Sequence, residues 1–219
     1  MKLPFNIEQF FDVFKTYNVA VFPMQIIFYL LAALIIYLAI KKPNKSGRII
    51  SLILSFLWFW MGIVYHLLFF TAINKAAYFF GALFIAEGLL LLFAGYFKQK
   101  FSFRFRTDIY GITGGILILF ALIIYPVIGY FAGHAYPSSP GFGLPCPTTI
   151  FTFGLFLWVD RKCPLFILII PLLWSVIGFF AAFSLGVRED IGLLISGLAA
   201  VILIFTRNKK NRLFRNFFI

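Results

Sequence analysis

Apolar residues run through this chain in long segments separated by short polar stretches. Six of these segments are long enough, or nearly so, to cross a bilayer as helices, because about 20 apolar residues span a hydrocarbon core of about 30 Å. A seventh segment, residues 147–159, has about 13 residues and is too short by length alone. The pattern therefore predicts an all-α integral membrane protein whose six clear spans are residues 19–40, 49–70, 76–97, 110–130, 165–183 and 191–205.

Composition supports a bilayer protein rather than a water-soluble one. Of the 219 residues, 63% are hydrophobic and 12% are charged, whereas a soluble domain has about 45–50% apolar residues. The net charge of +12 would suggest nucleic acid binding in a soluble chain. Here the basic residues lie in clusters between apolar segments, so we expect the lipid bilayer, and no nucleic acid, as the partner.

The distribution of Lys and Arg predicts the number of spans and their orientation. With seven spans, 15 of the 19 basic residues fall on one side of the membrane and 4 on the other. Cytoplasmic loops carry the excess of positive charge. Six spans would place the basic C-terminus outside. We therefore predict a seven-helix transmembrane bundle with one short helix, the N-terminus outside and the C-terminus in the cytoplasm.

Three regions are expected along the chain. Residues 1–18 form an amphipathic segment on the outer membrane surface, with Asn6 and Gln9 at capping-box spacing, although a flexible tail is the alternative. Residues 19–205 form the seven-span domain. Residues 206–219 form a basic cytoplasmic tail that could contact anionic lipid, a role that an ordinary stop-transfer flank explains equally well.

A loop rich in proline and glycine precedes the short helix. Residues 133–149 contain four prolines, three glycines and no Lys or Arg. The economical interpretation is that this loop dips into the bilayer and that the short helix begins part-way down, its N-terminus facing an outward-open cavity beside Cys146. Such a terminus can lower the pKa of a thiol or hold an anion. The alternative is a tightly packed corner with an inert thiol.

Several polar residues are predicted on the outer side of the membrane, where they form the candidate binding site. His66 has an alternative role as an interfacial anchor, and the adjacent acids near residue 190 could merely cap the last helix. Cys163 falls on the cytoplasmic side, so we expect no disulfide, whereas Cys146 and His66 are expected to be close. No spacing matches a metal signature, and we predict neither metal nor cofactor. The candidate residues are His66, His134, Tyr136, Cys146, Thr148, Glu189 and Asp190.

Glu87 stands near the midpoint of the third span, where an ionisable residue is costly and usually functional. Gly81, Gly88 and Gly95 recur every seven residues in the same span and predict the close approach of a neighbouring helix. A stripe of small and polar residues in the second span should face protein rather than lipid. It consists of Ser51, Ser55, Gly62 and His66.

Four stretches of the chain resemble a family of bacterial multi-pass membrane proteins that is defined only as a domain of unknown function. The resemblance implies a bacterial inner-membrane protein and transfers no activity. It covers nearly the whole chain and rests on residues 58–66 (WFWMGIVYH), 133–137 (GHAYP), 143–154 (GLPCPTTIFTFG) and 186–190 (GVRED).

Three classes of function remain open from the residues. Transport or sensing of a small solute or ion, through a cavity that faces away from the cytoplasm, would use the dipped loop and Glu87. A membrane-embedded metal, haem or thiol enzyme would use His66, His134 and Cys146. A non-catalytic membrane assembly component would need these polar groups only for structure. We favour transport or sensing, and the sequence predicts neither the substrate nor the oligomeric state.

Overall fold

A computed structural model describes residues 4–160 and 162–217 of the chain, apart from the side chains of residues 44, 45, 188 and 211–217. The chain is all-helical, with 79% of residues in helices. The described residues contain no β-strand, only two isolated bridges, which pair Phe103 with Val159 and Phe142 with Leu144. Six apolar helices are long enough to cross a membrane, which is consistent with a membrane protein.

The N-terminal part consists of one amphipathic helix and three long apolar ones. The capping box of Asn6 and Gln9, as predicted, begins the first helix: each side chain bonds the other residue's backbone N–H. The third and fourth helices continue into π-helical segments, Met61–Phe69 and Leu92–Phe97. The α-helices of this part are α1 (Ile7–Ala20), α2 (Met24–Lys41), α3 (Pro43–Trp60) and α4 (Ala77–Leu91).

The C-terminal part follows the irregular segment after residue 97. A π-helical turn, Phe120–Ile124, joins α5 to α6, and short 3-10 turns at Leu165–Leu168 and Arg188–Asp190 precede α8 and α9. The last helix runs well past residue 205, where the apolar pattern ends. The α-helices here are α5 (Ile109–Leu119), α6 (Tyr125–Phe131), α7 (Pro145–Leu157), α8 (Ile169–Leu185) and α9 (Ile191–Phe217).

The small and polar stripe of the second span packs against the glycines of α4. A Cβ on Gly62 would lie 2.9 Å from the carbonyl oxygen of Gly81, and Ser55 Oγ donates to the carbonyl of Gly88 at 2.6 Å. Ser51 Oγ occupies the space that a side chain at Gly95 would need. The two helices are therefore in backbone contact, as the heptad spacing of the glycines predicts.

Helix α7 is the most buried helix of the molecule, although it is too short to count among the six spans. Every side chain from Pro147 to Leu157 is buried. It crosses α5 so closely that a Cβ on Gly114 would lie 2.7 Å from the carbonyl oxygen of Gly154. It also packs against α8 and α9. The short apolar segment is thus a core helix of the bundle.

The two ends of the bundle differ in chemistry. At one end, here called the loop end, Asn18 Nδ2 donates to the carbonyl oxygens of Pro137 and Ser139 at 2.7 and 2.9 Å. At the other, here called the basic end, Asp160 N donates to the carbonyl of Ser102 at 2.7 Å and Ser102 Oγ lies 3.4 Å from the carbonyl of Pro43. The α7 helix begins beside the loop end and finishes at the basic end.

Candidate functional site

A polar cluster lies towards the loop end, where three chain segments meet. His134 follows α6 after Gly133, whose φ of 91° is in the left-handed region that favours glycine. The 3-10 turn before α9 contributes Glu189 and Asp190, which are 1% and 3% exposed. Cys146 stands in the first turn of α7. The cluster is therefore assembled from residues far apart in sequence.

His134 and Glu189 form the first pair of the cluster. The imidazole Nδ1 lies 2.9 Å from Oε1 of the carboxylate. A Cβ at Gly129 would lie 3.2 Å from that same oxygen, so the glycine gives the carboxylate room. The ring of His134 packs on Phe11 of α1 with centroids 4.2 Å apart. The second carboxylate oxygen, Oε2, is buried and has no hydrogen-bond partner among the described side chains, which leaves one strong acceptor unsatisfied there.

Asp190 forms the second pair, with Tyr125. The phenol O–H of Tyr125 donates to Oδ1 of Asp190, and the Cys146 thiol also lies within hydrogen-bonding reach of this carboxyl. Burial raises the pKa of Asp190 from 3.8 to about 7, although the hydrogen bonds from Tyr125 and Cys146 lower it and the charge of Glu189 raises it. Asp190 therefore changes its charge near neutral pH.

The N-terminus of α7 does not have the anion-binding surroundings that the sequence predicts for it. The thiol of Cys146 faces Asp190 and the indole of Trp174. A helix N-terminus lowers the pKa of a thiol by stabilising the thiolate. A neighbouring carboxyl opposes that effect, so the expected thiolate is not supported here. Two of the first three residues of α7 are Pro145 and Pro147, which have no N–H to offer. The first turn of α7 therefore has few N–H groups with which to bind an anion.

Two other predicted site residues lie away from the cluster. Tyr136 is 60% exposed. Thr148 is buried, and its hydroxyl accepts a hydrogen bond from Gly143 N at 3.0 Å, so it holds the preceding loop in place. The same loop is tied to α1, because Tyr17 O–H reaches the carbonyl of Gly143 at 3.5 Å.

His66 is near the cluster but separated from it by Trp174. The imidazole is completely buried, and neither ring nitrogen has a hydrogen-bond partner in the described part of the chain. Its ring centroid lies 5.1 Å from that of Trp174 and 4.6 Å from that of Phe84. Trp174 contacts both His66 and Cys146, which the sequence predicts to be close, so the indole lies between the two. A π-helical segment carries His66, and such segments are frequent at functional sites.

Glu87 is buried in α4, ten residues from each end of the apolar helix Ala77–Phe97. Neither carboxyl oxygen has a hydrogen-bond partner. The backbone or hydroxyl partner that a purely structural role would need is thus absent from the described residues. Glu87 belongs to no cluster with the residues of the loop end.

The two cysteines are free: Cys146 lies in the first turn of α7 and Cys163 lies beyond the C-terminal end of that helix, so no disulfide joins them. Within residues 4–160 and 162–217, no group of three or more His, Cys, Asp or Glu side chains is arranged to hold a metal ion. Two surface cavities of about 540 and 400 Å³ lie away from the polar cluster.

Sequence reasoning missed Tyr125 and Arg207. Tyr125 immediately precedes Pro126, a position that predicts a helix irregularity but not a partner for Asp190. Arg207 was placed in the basic tail; instead it is 5% exposed, and its guanidinium donates to the carbonyls of Leu157 and Phe156 at 2.9 and 3.4 Å. A cation at the C-terminal end of α7 satisfies carbonyls that the helix leaves free.

A family model matches residues 7–215, which is almost the whole chain. The chain belongs to this family of unknown function, DUF6064. No curated protein and no solved structure matched the chain. Membership of the family, together with the apolar helices, is consistent with a multi-pass membrane protein domain and carries no activity with it.

Proposed function

We propose that this protein transports or senses a small ion, with the proton or a small cation as the ion, and that His134, Glu189 and Asp190 form its binding site. The observation that carries the proposal is the charge balance of the cluster. Glu189 and Asp190 are adjacent buried carboxyl groups, of which Glu189 contacts the imidazole of His134. The nearby Tyr125 and Cys146 are neutral groups. A buried charge is stable only when it is paired or neutralised, so the cluster favours uptake of one positive charge.

The free oxygen of Glu189 supports this role. Oε2 is buried without a partner, although Oε1 is bound to His134. A bound proton or cation would satisfy that oxygen. The side chain of Arg188 lies outside the described part of the structure, and the other groups that face the carboxyl pair are Tyr65, Tyr125, Cys146 and His134.

Glu87 is the proposed intramembrane carrier. It is buried at the midpoint of its apolar helix without a partner, and an ionisable residue in this position marks an ion or proton pathway by default. Its separation from the loop-end cluster fits two successive binding positions along one route. Thr148, whose hydroxyl accepts a hydrogen bond from Gly143 N, holds the loop that would cover the route.

A seven-span arrangement in the inner membrane of a bacterium completes the proposal. Support comes from α7, which begins beside the loop end and finishes beside the basic end, and from Tyr125, which meets Asp190 six residues before the end of α6 at Phe131. At 1.5 Å per residue this is about 9 Å below the end of that helix. The loop before α7 would thus dip from outside, with the N-terminus outside and the C-terminus in the cytoplasm.

Flux in liposomes tests the proposed function. Purified protein is reconstituted around a pH-sensitive dye, and the rate of internal pH change is followed after an imposed proton or cation gradient. We expect flux from the wild type and a loss to the level of empty liposomes for Asp190→Asn, Glu189→Gln and Glu87→Gln, because each removes a chargeable group from the route.

Asp12→Asn is the matched control, because it makes the same chemical change at an exposed residue of α1. It should leave the flux unchanged. Wild-type flux equal to that of empty liposomes at every pH, together with no pH-dependent change in tryptophan fluorescence, would contradict both transport and sensing.

A further inference from the structure

The larger surface cavity lies at the basic end, between the start of α8 and the last described turns of α9. Its volume is about 540 Å³, which is within the range of small-molecule sites. Leu165 and Phe205 on its wall are 45% and 55% exposed and belong to apolar helices of membrane-spanning length. The full lining consists of Lys162, Pro164, Leu165, Phe205, Asn208 and Lys209.

Two lysines give this cavity its charge. Lys162 and Lys209 are exposed, and no ion pair joins either amine to a carboxylate among the described residues. The nearest acid along the chain, Asp160, is already bound by Arg106 at 3.1 Å. The two amines are therefore available to an anion.

Asn208 supplies an independent indication of a ligand. It is 6% exposed, and its Nδ2 donates to the carbonyl of Cys163 at 2.7 Å. Among the described residues, no hydrogen-bond donor reaches its buried Oδ1. A buried amide oxygen without a donor is costly, so the occupant of the cavity should carry a hydroxyl donor.

We propose that this cavity binds one anionic phospholipid with a hydroxylated headgroup. The phosphate lies between Lys162 and Lys209, a headgroup hydroxyl donates to Oδ1 of Asn208, and an acyl chain lies against Leu165 and Phe205. A lipid combines all three chemistries, and basic pockets between helices at the cytoplasmic side bind such headgroups. This site is independent of the loop-end cluster and of the proposed transport.

Native mass spectrometry of the full chain in detergent tests the site. Phosphatidylglycerol is titrated against phosphatidylmethanol, which has the same charge without a hydroxyl, and against phosphatidylcholine and inorganic phosphate. We expect phosphatidylglycerol to bind about five-fold more tightly than phosphatidylmethanol, the factor that one hydrogen bond provides. Equal affinity for these two lipids, or inorganic phosphate bound as tightly as the lipid, would overturn the proposal. This comparison uses the wild-type chain alone.

Variants locate the lipid. Lys162→Gln combined with Lys209→Gln should weaken phosphatidylglycerol binding roughly five-fold for each lysine. The matched control is Lys41→Gln combined with Lys42→Gln, two exposed lysines at the same end of the bundle and outside the cavity. The control should bind as the wild type does. An equal loss in both pairs would mean that the lipid responds only to the overall charge of this end, and would refute the site.

Discussion

At the scale of single residues, a side chain from one helix hydrogen-bonds a backbone carbonyl that a proline leaves unpaired in another helix. Pro126 has no N–H, so the carbonyl of Leu122, four residues earlier, loses its helical partner. Tyr29 of α2 donates its hydroxyl to that carbonyl at 3.2 Å. In a membrane a free carbonyl costs several kcal/mol, because no water can satisfy it. The π-helical turn between α5 and α6 is thus stabilised by α2, and Tyr125, directly after it, bonds Asp190.

Asp190 should make the stability of the protein depend on pH. Its pKa in the folded protein is raised by burial to about 7, whereas an unfolded Asp ionises near 3.9. The neutral acid is therefore favoured in the fold, and stability falls as the pH rises from about 4 through 7. Each unit of raised pKa corresponds to about 1.4 kcal/mol.

Asp190→Asn mimics the neutral acid permanently. We expect the variant to resemble the wild type in thermal unfolding at pH 3, below both pKa values, and to exceed it by a few kcal/mol at pH 8. The measurement is the apparent melting temperature in detergent across this range. Asp12→Asn, at an exposed site, should follow the wild-type curve throughout. Parallel pH profiles for Asp190→Asn and the wild type would contradict a titrating, buried Asp190.

At the scale of helices, the apolar pattern predicted where the long helices lie to within a few residues, with three exceptions at the ends. Helix α3 begins at Pro43 rather than at residue 49. The first span begins at Met24 rather than at residue 19, because the chain turns at Pro23 after α1. The last helix continues to Phe217, since basic residues are good helix formers even where they end an apolar run. The hydropathy pattern alone predicts neither the turn at Pro23 nor the continuation of α9 beyond residue 205.

The partners within the candidate site could not be predicted in the same way. The sequence predicts His134 and Glu189 on one side of the membrane, and their 2.9 Å contact is consistent with that, yet no local pattern pairs residues 55 positions apart. Tyr125 was missed for the same reason. Spacing predicts the face of one helix, whereas the contacts between helices depend on how the whole bundle packs.

The crossing of α5 and α7 depends on a pair of glycines, and this can be tested by adding one methyl group. A Cβ on Gly114 would lie 2.7 Å from the carbonyl oxygen of Gly154, and a Cβ on Gly154 would lie 2.8 Å from the carbonyl oxygen of Gly114. Backbone cannot move aside as a flexible side chain does. Gly114→Ala and Gly154→Ala should each destabilise the fold by about 1–3 kcal/mol, measured as a lower melting temperature.

Gly115→Ala is the internal control for this prediction. It lies on the same helix, and a Cβ there would meet only side-chain atoms at 3.9 Å, an ordinary contact. Replacing a helical glycine by alanine without a clash stabilises by about 1 kcal/mol. A loss at Gly115 as large as at Gly114 would show that the methyl group acts on the helix itself rather than on the crossing.

At the scale of the whole molecule, charge and polarity are divided between the two ends of the bundle. At the basic end, direct contacts join the segments around Pro43, Ser102 and Asp160. Arg207 donates a hydrogen bond to a carbonyl at the end of α7 there. The loop end contains the buried carboxyl pair and the loop before α7, which has no Lys or Arg. Such a division is what the positive-inside rule favours for a protein fixed in one orientation.

The orientation and the seventh crossing can be tested together with cysteines introduced at exposed positions. Tyr136→Cys lies at the loop end, whereas Lys41→Cys and Lys209→Cys lie before α3 and near the end of α9. In intact cells an impermeant maleimide should label Tyr136→Cys alone, and the two lysine positions should react only after the membrane is permeabilised, because seven crossings return both to the cytoplasm.

The native chain serves as the control for this labelling, since Cys163 is completely buried and Cys146 only partly exposed. Any background from Cys146 is removed by measuring the same variants with Cys146→Ser. If Lys41→Cys reacts from outside, the orientation is inverted. If Lys41→Cys and Lys209→Cys react from opposite sides, then α7 does not carry the chain across the membrane, and the six long helices are its only crossings. Labelling of both lysine positions from the same side therefore requires that the short, buried α7 crosses the membrane.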